Sequence, residues 1–274
     1  MKLASVYEKL DDLFGKQKYR EAEQLLLEQV SAAEASEDKY AAISLCNELG
    51  GYYRAAGNYW GSIEFFSRAL VNIEETGLKE SVEEAVIRSN LATLYVAVDM
   101  LEKASEEYET ADQIYSVNHI GDYRAAALKN NKASLYLKRG ECAQALVCAK
   151  EALHILGGKE GYEDEYGVTN TLTAQIRIRQ RRYDLAHEDA LRAKECFEKA
   201  ASPSPAHTAV LESVFAELSA AKGEWMQASV YHERAAEMIE RAFGRNESWK
   251  SERKKMEQCK SRGQEEKNGK HEGP

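Results

Sequence analysis

A right-handed α-solenoid, a stack of six helix pairs closed by a C-terminal capping helix, is the fold class this sequence predicts, on three observations. Six positions return at a nearly fixed step: Tyr19, Tyr59, Leu101, Cys142, Tyr183 and Trp225 lie 40, 42, 41, 41 and 42 residues apart. Three residues after each stands Ala22, Ser62, Ala104, Ala145, Ala186 or Ala228, and ten after stands Gln29, Ala69, Ala111, Ala152, Ala193 or Ala235. A small residue recurring at one helical phase marks where a second helix backbone approaches closely. Proline is confined to Pro203, Pro205 and Pro274, so little interrupts a chain rich in the helix formers Ala, Leu, Glu and Lys.

Taken in order, the first unit carries Gly15 ahead of Tyr19, and Gln29 where later units have alanine. In the second, Leu45, Leu49 and Tyr53 form one stripe, Gly57 and Asn58 end that helix, and Tyr59 to Ile73 run with a fresh 3.6 period. Gly140 and Gly223 hold the same turn in the fourth and sixth units, where a left-handed backbone closes a helix without steric penalty. Asp99 and Arg181 stand there in the third and fifth, which specifies those turns less strongly. Units are joined by polar segments: Glu75 to Gly77, Asn118 to Gly121, Gly157 to Gly161, and Ala201 to Pro205. The alanine pattern stops near Asn246, and Ser248 to Met256 read as a helix with a charged outer face, as solenoid caps require. The expected organisation is therefore a solenoid over 1–245, a capping helix over 246–260 and a disordered tail over 261–274, which has no apolar residues to pack.

At 274 residues and 43% hydrophobic, the chain can bury a substantial core as one elongated domain. Its five cysteines, Cys46, Cys142, Cys148, Cys196 and Cys259, form no C-x-x-C pair and read as free thiols packed in a core, in a reducing compartment. The amino terminus becomes charged before an apolar run of signal-peptide length forms, and no stretch approaches the roughly 20 apolar residues of a membrane span. A cytoplasmic location is expected, without membrane contact. Net charge is −9, and the segment from Glu247 holds 8 Lys/Arg against 6 Glu, so the body before it is more acidic still. Basic residues scattered among more numerous carboxylates argue against nucleic acid.

The series Leu49, Gly50, Tyr53, Gly57, Tyr59, Ser62, Phe66 and Ala69 resembles the tetratricopeptide repeat signature, with serine where that family favours alanine. Leu91, Ala92, Tyr95, Ala104, Tyr108 and Ala111 fit it in the third unit, and Ala133, Tyr136, Gly140, Ala145 and Ala152 in the fourth. Arg177 replaces the tyrosine in the fifth; in the sixth Ser219 does so, and His232 replaces an aromatic. The long step, with the stretches SNLATLY, NNKASLYLKRG and ERAFGRNE, is similar to the kinesin light chain group and its bacterial relatives. The resemblance implies a concave groove lined by the first helix of each unit, with the residues just ahead of the Leu-Ala or Leu-Gly pair pointing into it. Here those are Asn47-Glu48, Ser89-Asn90, Asn130-Asn131 and Thr171-Leu172. An asparagine offers both a donor and an acceptor, so a row of them can hold the backbone of an extended peptide whatever its sequence. Farther along the same helices Arg54, Lys138, Gln175 and Arg179 would add selectivity, the cations favouring an acidic segment or terminal carboxylate. The competing role for these asparagines is to bridge neighbouring repeats. As exposed positions, Asn47, Asn90 and Asn131 would together tolerate alanine with little loss of stability. Of the tyrosines, Tyr53, Tyr59, Tyr95, Tyr108, Tyr136 and Tyr183 stand at repeat-defining phases and are expected in the core, whereas Tyr52, Tyr123 and Tyr162 are freer.

Nothing points to catalysis, a metal or a cofactor. The histidines are scattered, there is no H-E-x-x-H, G-x-S-x-G or Walker pattern, and Gly157 to Gly161 follows no strand. Carboxylate pairs such as Glu83-Glu84 and Glu106-Glu107 read as solvated surface. The expected function is a protein-interaction adaptor holding a partner's extended segment. The alternatives are a self-assembling homo-oligomeric scaffold, which an exposed patch at Leu25, Leu26 and Leu27 would favour, and a small-molecule-sensing regulator.

Overall fold

Each of the six recurring positions is the first residue of a helix. The computed structural model describes residues 3–269, and among them thirteen helices form six pairs and a terminal helix. The pairs are α1 (Leu3–Gly15) with α2 (Tyr19–Ala35), α3 (Lys39–Ala55) with α4 (Tyr59–Glu75), and α5 (Val82–Ala97) with α6 (Leu101–Val117). Then follow α7 (Tyr123–Lys138) with α8 (Cys142–Leu156), α9 (Glu163–Arg179) with α10 (Tyr183–Lys199), and α11 (Pro205–Ala221) with α12 (Trp225–Phe243). The last helix, α13 (Glu247–Gly269), stands alone. This is the α-solenoid architecture the periodicity predicts. The chain divides into two compact units, Met1–Arg124 and Ala125–Pro274, where one domain was expected. Repeats pack on their neighbours only, so a stack can group into more than one compact body.

The small residues do what their recurrence implies. Ala22, Ser62, Ala104, Ala145, Ala186 and Ala228 are all fully buried, as are Ala69, Ala111, Ala152, Ala193 and Ala235, while Gln29 is only half-buried. Ser62 keeps its place because its hydroxyl donates to the Gly50 carbonyl at 2.7 Å, so the buried polar group is satisfied. Gly50 is itself required: a Cβ there would lie 2.7 Å from the Phe66 ring.

The turns inside the pairs share one conformation. Gln17, Gly57, Asp99, Gly140, Arg181 and Gly223 all have positive φ, from 58° at Gln17 to 81° at Gly140. Asp38, Asn58 and Ser81 cap the following helices, their side chains accepting from the N–H of Ala41, Gly61 and Glu84.

Three expectations need correction. The terminal helix continues to Gly269, past the 246–260 capping helix and into the segment read as disordered; positions 270–274 lie outside the described residues. It is held there because Trp225 Nε1 donates to Glu266 at 3.0 Å, Arg262 lies over the Trp225 ring, and Gly263 gives Met226 room to pack. Glu84 and Glu107 are not solvated: Glu84 is buried, and Arg88 bonds both, at 2.7 and 2.6 Å. Tyr59 is exposed rather than core, although Tyr53 and Tyr108 are buried as expected.

Candidate functional site

In both units a depression opens on the first helices of the pairs. In the first unit it has a volume of about 200 Å³ and is lined by Tyr7 of α1, Ser44, Asn47 and Glu48 of α3, and Glu83 and Val86 of α5, among others. Asn90 Nδ2 donates to Asn47 Oδ1 at 3.0 Å, which ties α5 to α3. The bond leaves the Asn47 amide hydrogens and the Asn90 carbonyl oxygen uncommitted. Partial desolvation by the surrounding helices, then the nearby Asp11, pushes the Glu48 carboxyl up although the side chain stays exposed. Arg124 also lines the depression, but Asp122 engages it through Nε at 3.0 Å and Nη2 at 2.6 Å.

Arg54 lies two helical turns beyond Asn47 on α3. It is half-buried, its buried Nε has no acceptor, and desolvation lowers its pKa. It is near enough to Tyr108 for the two to interact; burial pushes that phenol up to about 12, against the opposing effects of the Thr93 hydrogen bond and Arg54.

In the second unit the depression has a volume of about 160 Å³ and lies among α7, α9 and α11. Asn131, Ser134 and Gln175 give it polar edges, and Val168, Leu172 and Val210 give it an apolar wall. Asn130 is buried, its Nδ2 donating to Thr169 Oγ1 at 2.9 Å while its Oδ1 has no donor. His207, also on the lining, bonds through Nδ1 to Asp164 Oδ2 at 2.6 Å, and Asp164 Oδ1 accepts from the Ser204 N–H.

The structure thus brings Asn47 to Asn90 in one unit, and Asn130, Asn131 and Gln175 together in the other. Lys138 and Arg179 are exposed and line neither depression. The asparagines are not one uniform row. Asn47, Asn90 and Asn130 each bridge helices, and Asn131 makes no hydrogen bond with another described residue. The bond between Asn47 and Asn90 gives both a structural role beside the one expected of them. One turn before Asn47 and Asn90, at i−3 and i−4, stand Ser44 and Val86, which spacing alone would have found; Val168 stands seven residues before Gln175. Tyr7 and His207 carry no such signal, since each enters from a different helix. Among the described residues there is no group of three or more His, Cys, Asp or Glu placed to hold a metal, and no helix is long and apolar enough to cross a membrane.

No protein-family model matches the chain, and no curated protein matches it in sequence. Solved structures do. BtubC (BKLC) from P. vanneervenii superposes with a TM-score of 0.61 at 20% identity, over 80% of this chain and 92% of that one. A putative kinesin light chain of P. anserina with nearly identical TPR-like repeats gives 0.59 at 17%, over 72% and 95%. The apo form of RapI gives 0.59 at 16%, over 95% and 72%. At these identities the likeness is one of fold, and the fold is that of tetratricopeptide repeat proteins.

Proposed function

We propose that this chain is a protein-interaction adaptor that holds an extended segment of a partner protein on the faces of its first helices. The observation that supports the reading best is the repetition of one arrangement in two units. In each, a depression on odd-numbered helices presents amide groups whose hydrogen-bonding capacity is not spent within the fold. A strand-like segment has backbone N–H and C=O groups free on both edges, which is the chemistry such amides match. Packed helices hold the surface in shape, so little ordering of the protein accompanies binding. The patch that would have favoured a self-assembling scaffold is absent: Leu26 is buried, and Leu25 and Leu27 pack against the core.

The test is site-specific photo-crosslinking in the host lysate, with p-benzoylphenylalanine replacing Ser134 beside the second depression or Val147 on the exposed surface of α8. A discrete protein adduct from Ser134, absent from Val147 and lost in the folded Asn131→Ala/Gln175→Ala variant, is the expected result. Adducts from Val147 alone, or only with further copies of this chain, would move the function to another surface or to self-assembly.

A further inference from the structure

The proposed function leaves open what kind of residue the bound segment brings to the second unit, and the chemistry of the depression there narrows it. Three aliphatic side chains, Val168, Leu172 and Val210, form the wall, and Val210 remains 42% exposed. The depression, open on one side and about 160 Å³ in volume, has room against this wall for a single aliphatic side chain. No lining residue offers an unpaired charge. His207 is the lone titratable group among them, and Asp164 holds its ring. A carboxylate or ammonium seated there would lose hydration and gain no counter-ion.

Two observations concern the segment's backbone. Asn130 is only 7% exposed, yet its Oδ1 has no donor, although its Nδ2 is committed to Thr169. A buried acceptor left without a donor is rare in native proteins, and it indicates a group to be supplied from outside the fold. Beside it the amides of Asn131 and Gln175 make no hydrogen bond with other described residues.

We propose that this depression is a side-chain subsite selecting one uncharged aliphatic residue of the bound segment, whose own backbone N–H and C=O are held by the amides of Asn130, Asn131 and Gln175. The proposal rests on the adaptor reading and adds a specificity to it. It sets aside the acidic anchor that Lys138 and Arg179 suggest, because neither cation reaches the lining.

The experiment selects a phage-displayed random dodecapeptide library on the intact chain, then measures the affinity of enriched peptides by fluorescence anisotropy. Peptides sharing Val, Leu, Ile or Met at one position are expected, with at least a tenfold loss when that residue becomes Asp or Lys. The same loss is expected with Val210→Asp, or with Val210→Ser should the aspartate disturb folding by circular dichroism, whereas Val147→Asp on α8 leaves affinity unchanged. Peptides that depend on Asn131 and Gln175 but keep their affinity with an acidic residue at the anchor, or with Val210→Asp, would overturn the subsite and leave the adaptor reading standing. If no peptide is enriched, or enriched peptides ignore Asn131→Ala/Gln175→Ala, both fail.

Discussion

Arg177 stands where its counterparts in the second, third and fourth units are tyrosines, and the residue that accommodates it is Asp189. In the second unit Tyr53 of α3 meets Phe65 of α4, ring centroids 5.6 Å apart. The corresponding pair in the fifth unit is Arg177 of α9 with Asp189 of α10, joined at 2.6 Å. Burial pushes the Asp189 carboxyl up, and Arg177 and Arg192 pull it back. Arg177→Tyr alone strands a buried carboxylate with Arg192, and a loss of about 2 kcal/mol is expected, below the full effect of breaking a buried pair because one cation remains. Arg177→Tyr with Asp189→Phe rebuilds the aromatic contact and should recover most of it. Urea denaturation of the single and double variants checks this through the coupling energy; additive losses would mean that the two residues act separately. At Gly50 an added methyl meets the Phe66 ring, so Gly50→Ala is expected to destabilise by about 1–3 kcal/mol, read by the same unfolding curves.

Within each pair the two helices are joined by a turn that uses the left-handed region, with different residues. Glycine occupies it without a Cβ penalty at Gly140, whereas Arg181 adopts φ of 59° with a full side chain. Arg181→Gly should therefore raise stability by up to about 1 kcal/mol, and Gly140→Ala should lower it by about 1–2 kcal/mol. Equal and opposite shifts in melting temperature are not required, but shifts of the same sign would contradict the account. At the other end of the chain, α13 is fastened to α12 by His232 Nδ1 and Glu252 Oε2, 2.7 Å apart and both buried. Burial alone would raise the Glu252 carboxyl; bonds from His232, Lys255 and Ser213 overcome it and hold the value near 2, below the ordinary 4.5. A carboxyl with a depressed folded-state pKa stabilises above its unfolded value and loses that contribution as pH falls toward the folded one. Stability in the range of about 2–3 kcal/mol is thus expected to disappear between pH 4.5 and about 2. Glu252→Gln should flatten that part of the pH–stability curve, and an unchanged curve would place the acid sensitivity elsewhere.

Across the whole molecule, the amides separate into those that hold repeats together and those left for a partner. Asn47→Ala removes the bond from Asn90 and should lower stability by about 1 kcal/mol. Asn131→Ala/Gln175→Ala should change it by less than about 0.5 kcal/mol while abolishing capture of the partner segment; a large loss of stability in that variant would assign both residues to structure. The sequence by itself determined the pairs, their first residues and their turns, because period, small residues and positive-φ positions are properties of a helix and its immediate neighbours along the chain. It placed the amides on the right helices but not in their roles. Tertiary structure alone decided those, since Asn47 meets a residue 43 positions away and His232 one 20 away on another helix. Periodicity reports which face of a helix is buried; what stands opposite a given side chain depends on how the next helix is set against it. The length of α13 was hidden for the same reason: beyond Cys259 its sequence has no apolar residue of its own, and that part is held by Trp225 and Met226 of α12.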